Sequence, residues 1–167
     1  MSIGAVGEWV GTYFSGFELF PIIFKFYGDP GKTVTVILGS IDNPGTPLIE
    51  RRADGIGMHP APPGLGYATI RWTAPKSNTY VIKVSLFSID VNVGATTDVH
   101  VLRDGVSLFS GDVNGIGSVQ NWSTGKRGIA LDAGDVNDLV VGPNGDFGSD
   151  STGVDAVVEE LHDRDRY

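Results

Sequence analysis

The chain has 167 residues, 24 of them glycine, with 19% charged residues and a formal net charge of -8. Nucleic acid and anionic membrane surfaces are held by clustered Lys and Arg, so an acidic chain of modest total charge is a poor partner for either. Cysteine is absent, which excludes a disulfide framework, a thiol nucleophile and a thiolate metal site, and the length fits one domain.

Met1 to Val10 carries Glu8 inside its apolar pattern and has no basic stretch, so it does not read as a signal peptide. Phe17 to Tyr27 is apolar but broken by Glu18, Pro21 and Lys25; it reads as strand and loop, and no membrane insertion is expected. Lys32 to Ser40 alternates Val34, Val36 and Leu38 with Thr33, Thr35 and Ile37, which predicts a strand. From Ile41 to Gly66 prolines and glycines accumulate, giving a long connection with one short strand near Leu48 to Arg51. Long connections inside small domains are commonly functional, so this one is a candidate binding edge.

Ala68 to Thr73 and Thr79 to Asp90 read as strands, and the turn from Ala74 to Asn78 predicts that they pair as a hairpin. Val99 to Arg103 and Val106 to Ser110 flank Asp104-Gly105, a strong two-residue hairpin signal. A turn at Asp112 to Gly117 leads through Gln120-Asn121-Trp122 to a strand near Arg127 to Leu131. Val136 to Val141, entered through Ala133-Gly134-Asp135, and Val154 to Val158 read as the last two strands, with Glu159 to Tyr167 a charged, solvated tail. No stretch keeps helical periodicity, and turns recur about every ten residues. The expected fold is all-β: one antiparallel β-sandwich of jelly-roll type over residues 1–158.

The segments RWTAP (Arg71 to Pro75), TYVIKVSLFSID, TTDVHVLRDGVSLFSG, LDAGD and GSDSTGVDA, preceded by Met58 to Pro60, follow one another in an order that resembles a β-sandwich domain of bacterial exported proteins. Many members of that family end in a PEP-CTERM sorting signal, and the domain is similar to carbohydrate-binding modules of jelly-roll fold. The resemblance covers Gly57 to Val158 and implies an extracellular or cell-surface location.

Sugar binding by a β-sandwich needs an aromatic face against the pyranose ring, with amides and carboxylates on its hydroxyls. Trp72 shares a strand face with Ile70 and reads as core, whereas Trp122 stands among Gln120, Asn121, Ser123 and Thr124 and reads as partly exposed. Trp122 is the first candidate platform and Tyr67 the second, with Gln120, Asn121, His59, Asp98 and His100 as candidate hydrogen-bonding partners. The loop before the last strand concentrates Asn144, Asp146, Asp150, Thr152 and Asp155. Calcium takes about six to eight oxygens from such groups, and self-capped turns use the same residues, so both readings stand.

Asp98 and His100 lie two apart on one strand face and could polarise one another. No nucleophile elbow, metal-binding histidine pair or phosphate-cradling glycine loop accompanies them. The reading that collects these features is a non-catalytic, extracellular glycan-binding module with a candidate calcium site. The alternative is a surface-layer or filament subunit that self-associates through its apolar N-terminal segment Phe14 to Phe26; the second alternative is a small enzyme using Asp98 and His100.

Overall fold

The computed structural model describes residues 4–15, 18–28, 48–52, 55–60, 62–63, 67–146 and 148–161. Among them it forms β1 (Gly4–Ser15), β2 (Glu18–Gly28), β3 (Leu48–Arg52), β4 (Gly55–His59), β5 (Ala68–Thr73) and β6 (Asn78–Ser88). The chain continues with β7 (Thr96–Arg103), β8 (Val106–Asn114), β9 (Val119–Ser123), β10 (Ile129–Leu131), β11 (Val136–Gly142) and β12 (Thr152–Glu160). The predicted strand from Lys32 to Ser40 lies outside the described residues.

These strands make two antiparallel sheets. The first runs β2-β1-β5-β11-β7-β8 and the second β10-β6-β12-β4-β3, with β9 also paired to β6. Period-two alternation gives each strand one apolar row, and the two rows close on each other as a sandwich. Ala68, Ile70 and Trp72 of β5 with Val99 and Val101 of β7 face Tyr80, Ile82, Val84 and Leu86 of β6, all buried. The Trp72 and Tyr80 rings meet edge to face, with centroids 5.1 Å apart at 72°. The core also holds a polar cross-link between the layers, the 2.8 Å hydroxyl pair of Thr97 and Thr152. At the other end of β11, both side-chain amide atoms of the buried Asn137 lack a hydrogen-bond partner among the described residues.

The predicted hairpin of β5 and β6 is not formed. Both strands exist, but they belong to opposite sheets, and Ala74 to Ser77 crosses between them. Each strand has only one apolar face, and burying both faces in one core sets the strands across the sandwich from each other instead of side by side. The crossing is tied to the entry of β11 by Ala74 N–H to Asp135 O at 2.8 Å and Gly134 N–H to Ala74 O at 2.9 Å. By contrast β7 and β8 do form a hairpin, with Asp104 (φ 48°) and Gly105 (φ 79°) both left-handed, as its two-residue turn requires. The apolar segment from 14 to 26 falls largely on β2, the outermost strand of the first sheet among the described residues.

Candidate functional site

On β7 the sequence TTDVHVLR turns Thr97, Val99 and Val101 into the core, so Asp98 and His100 project together from the outer face of the first sheet. The His100 ring bonds Asp98 Oδ2 through Nε2 at 2.7 Å and Ser110 Oγ, on β8, through Nδ1 at 3.0 Å. A carboxylate only accepts, so Nε2 carries a proton, and in the neutral ring Nδ1 is then the acceptor for the Ser110 hydroxyl. Ser110 Oγ lies 3.1 Å from Ser107 Oγ, extending the chain of polar groups along the exposed edge strand. The other oxygen of Asp98 accepts the backbone N–H of Asn144 at 2.7 Å, which anchors the β11–β12 turn to the same place.

Gly142 makes this packing possible. A Cβ there would sit 2.5 Å from both carboxylate oxygens of Asp98 and 2.5 Å from Cε1 of Tyr67. The Tyr67 ring thus lies beside the Asp98 carboxylate, and the residue is 53% exposed. Farther along the same face Arg71 grips Asp138 with two bonds, Nε at 2.7 Å and a terminal nitrogen at 2.8 Å. That hydrogen bond holds the Arg71 guanidinium above its ordinary value, so it stays charged.

Other candidate residues gather elsewhere. Trp122 pairs with Val84 and Gln120 with Leu86, so both share the inward face of β6; the Trp122 ring is half-buried and packs on the core. Gln120 donates to Asp112 O at 2.6 Å. Trp122 nevertheless also lines an open depression of about 450 Å³ on the second sheet, with Asn121, Asp155, Lys83, Ser85, Ser123 and Val157.

The five oxygen-bearing residues of the last loop are likewise divided. Asp155 is in the depression, and Thr152 bonds Thr97 in the core. Asn144 (φ 40°) and Gly145 (φ 91°) form a left-handed turn, and Asp146 caps it by accepting Gly148 N–H at 3.1 Å. Asp150 is fully buried; its Oδ1 accepts both the N–H and the hydroxyl of Thr96 at 2.8 Å, while Oδ2 has no partner among the described residues. Burial pushes the Asp150 carboxyl above its ordinary range, and the Thr96 bonds and nearby His59 pull it back only in part. His59 Nδ1 in turn meets Pro60 O at 2.8 Å. Among the described residues no three His, Asp or Glu side chains converge as a metal-holding group.

The structure therefore brings together Tyr67, Asp98 and His100, with Asn144 contributing its backbone, and keeps Trp122, Asn121 and Gln120 apart from them. Sequence reasoning missed Ser110, Ser107 and Gly142. Counting back from the Asp104-Gly105 turn places Phe109 opposite His100; a bulge between Val101 and Leu102 moves the partner by one residue to Ser110.

No protein-family model and no curated protein matches the chain. Among solved structures, CBM51 from Clostridium perfringens GH95 in complex with methyl-galactose is similar at 19% identity, covering 75% of this chain and 80% of that one, with a TM-score of 0.41. Rabbit GITRL is similar at 13% identity, over 92% of this chain and 94% of that one, with a TM-score of 0.40. The carbohydrate-binding module CBM36 in complex with calcium and xylotriose is similar at 21% identity, over 78% of this chain and 92% of that one, with a TM-score of 0.37. The likeness is one of sandwich architecture.

Proposed function

We propose that this chain is a glycan-binding module of an exported protein, and that the sugar lies on the outer face of the first sheet, over Tyr67. The observation that carries the reading is the half-exposed Tyr67 ring set beside the hydrogen-bonded Asp98 and His100 pair on a rigid sheet. An aromatic face takes the apolar side of a pyranose, and the carboxylate, held in place by the imidazole, uses its remaining lone pairs to accept from the hydroxyls without first being ordered. Affinity electrophoresis against a panel of polysaccharides tests it. Tyr67→Ala is expected to weaken retention about tenfold, the equivalent of one lost stacking contact. Equal retention by parent and variant removes Tyr67 from the site, and no retention of the parent by any glycan removes the reading.

A cation enters the proposal at Asp150. A carboxyl whose pKa is raised in the fold binds its proton more tightly there than in the unfolded chain, so stability falls as pH rises from the ordinary carboxylate range through the raised value. Calcium on the unpartnered Oδ2 offsets that cost by taking the place of the proton. Adding calcium to chelated protein is expected to raise the Tm, and Asp150→Asn to abolish the rise. An unchanged Tm at millimolar calcium eliminates the ion.

A further inference from the structure

The outer face of the first sheet sets a serine hydroxyl against the His100 and Asp98 pair. We propose that Ser110, activated by His100 and Asp98, attacks acyl esters, so that the module also removes acyl groups from its ligand.

The geometry is that of an activated serine. Ser110 is exposed, its hydroxyl lies 3.0 Å from Nδ1 of His100, and the opposite ring nitrogen is fixed on Asp98 at 2.7 Å. The two ring nitrogens exchange the places they take in the best-known serine hydrolases, yet each keeps its role: one faces the nucleophile, the other the carboxylate. Asp98 is itself held, by Asn144 N–H on its second oxygen and by the space left at Gly142. Val99 and Val101, fully buried on the other face of β7, prevent the strand from turning the dyad away. Preorganisation on strands of this kind is what separates a catalytic constellation from side chains that meet in passing.

In the first step Ser110 Oγ forms a bond to the ester carbonyl carbon as its proton passes to His100 Nδ1. The tetrahedral centre collapses, the carbon–oxygen bond to the leaving alcohol breaks, and that oxygen takes the proton from His100. Water then attacks the acyl carbon, giving one proton to His100, which returns it to Ser110 as the acid departs. Ester and water become acid and alcohol, and no oxidant or metal is consumed. The Ser107 hydroxyl, which donates to Phe109 O at 3.3 Å, lies 3.1 Å from Ser110 Oγ beside the nucleophile. Asp98 acts through His100 and is a positioning residue. The substrate class, an acyl group such as acetyl on a sugar hydroxyl, rests on the glycan reading; the nucleophile does not.

The test treats the full chain with an alkynyl fluorophosphonate, maps the modified peptide, and follows p-nitrophenyl acetate hydrolysis. The expected result is a single adduct on Ser110, lost in Ser110→Ala. Labelling of His100→Gln is expected to be roughly 100-fold slower at an unchanged Tm, the share a general base commonly supplies. No adduct on Ser110, labelling spread over many surface serines, or an equal rate in His100→Gln overturns the proposal. Polysaccharide retention measured on Ser110→Ala separates the two claims. Retention without labelling of the parent sinks the nucleophile alone, and labelling without retention sinks the glycan reading alone.

Discussion

Trp72→Ala is expected to destabilise the fold by about 3–5 kcal/mol, the range for removing a large aromatic side chain from a core. Trp72 is 1% exposed, lies at the centre of the first sheet between β1 and β11, and reaches across the sandwich to the edge of the Tyr80 ring. Deleting the indole removes packing from both sheets at once, because the hole opens where the layers meet. Neighbouring strands cannot collapse into it without breaking the pairing of Trp72 with Asn137 on one side. A urea titration measures the effect, and Trp72→Phe is expected to recover part of it through the retained ring. A loss under about 1 kcal/mol, the size of an ordinary substitution, would show that the indole is not part of the core.

Gly94→Ala comes second, at about 3 kcal/mol, from two sources that can be measured separately. Gly94 has φ 81°, where an L side chain costs roughly 1–2 kcal/mol. Its added methyl would also strike Ile116 N and Gly115 C and sit 2.6 Å from Gly115 Cα, all backbone atoms that cannot rotate aside. Gly115 N–H bonds Ala95 O at 2.8 Å, which holds that backbone in place, and Asp90 accepts the N–H groups of Asn92, Val93 and Gly94, which holds Gly94 against it. The same bonds, Val93 first, hold the Asp90 carboxyl below its ordinary range. Gly105→Ala is the control: φ there is 79°, but nothing lies within 4 Å of the new methyl. It is expected to show the conformational cost alone, and the difference in urea midpoints reports the clash. Equal losses in the two variants would mean that the 90–94 loop moves aside freely.

Most strands between 68 and 160 are legible from local apolar patterning and flanking turns, but β9 is not, because VQNWS has neither an apolar run nor alternating apolar residues. Their partners were less so. Nothing in Ala74 to Asn78 distinguishes a hairpin from a crossing between sheets; that choice is made by where both apolar faces can be buried. The strand Gly55–His59 was unread because two glycines replace the side chains that would have alternated. At the site, Asp98 and His100 could be paired from spacing alone, whereas Ser110 depends on a bulge and Gly142 on an approach between distant segments. Trp122 was placed by its polar neighbours as partly exposed, and it is; which way the ring points depends on the register of β9 against β6, which no local pattern encodes.

The late strands hold the most interior positions. β11 lies between β5 and β7, and β12 lies between β6 and β4, so each sheet stays in two pieces until the last quarter of the chain arrives. Closing such distant pairings loses chain entropy before contacts compensate it, which makes assembly slow. A chain emerging from the ribosome therefore completes neither sheet until β11 and β12 have been made.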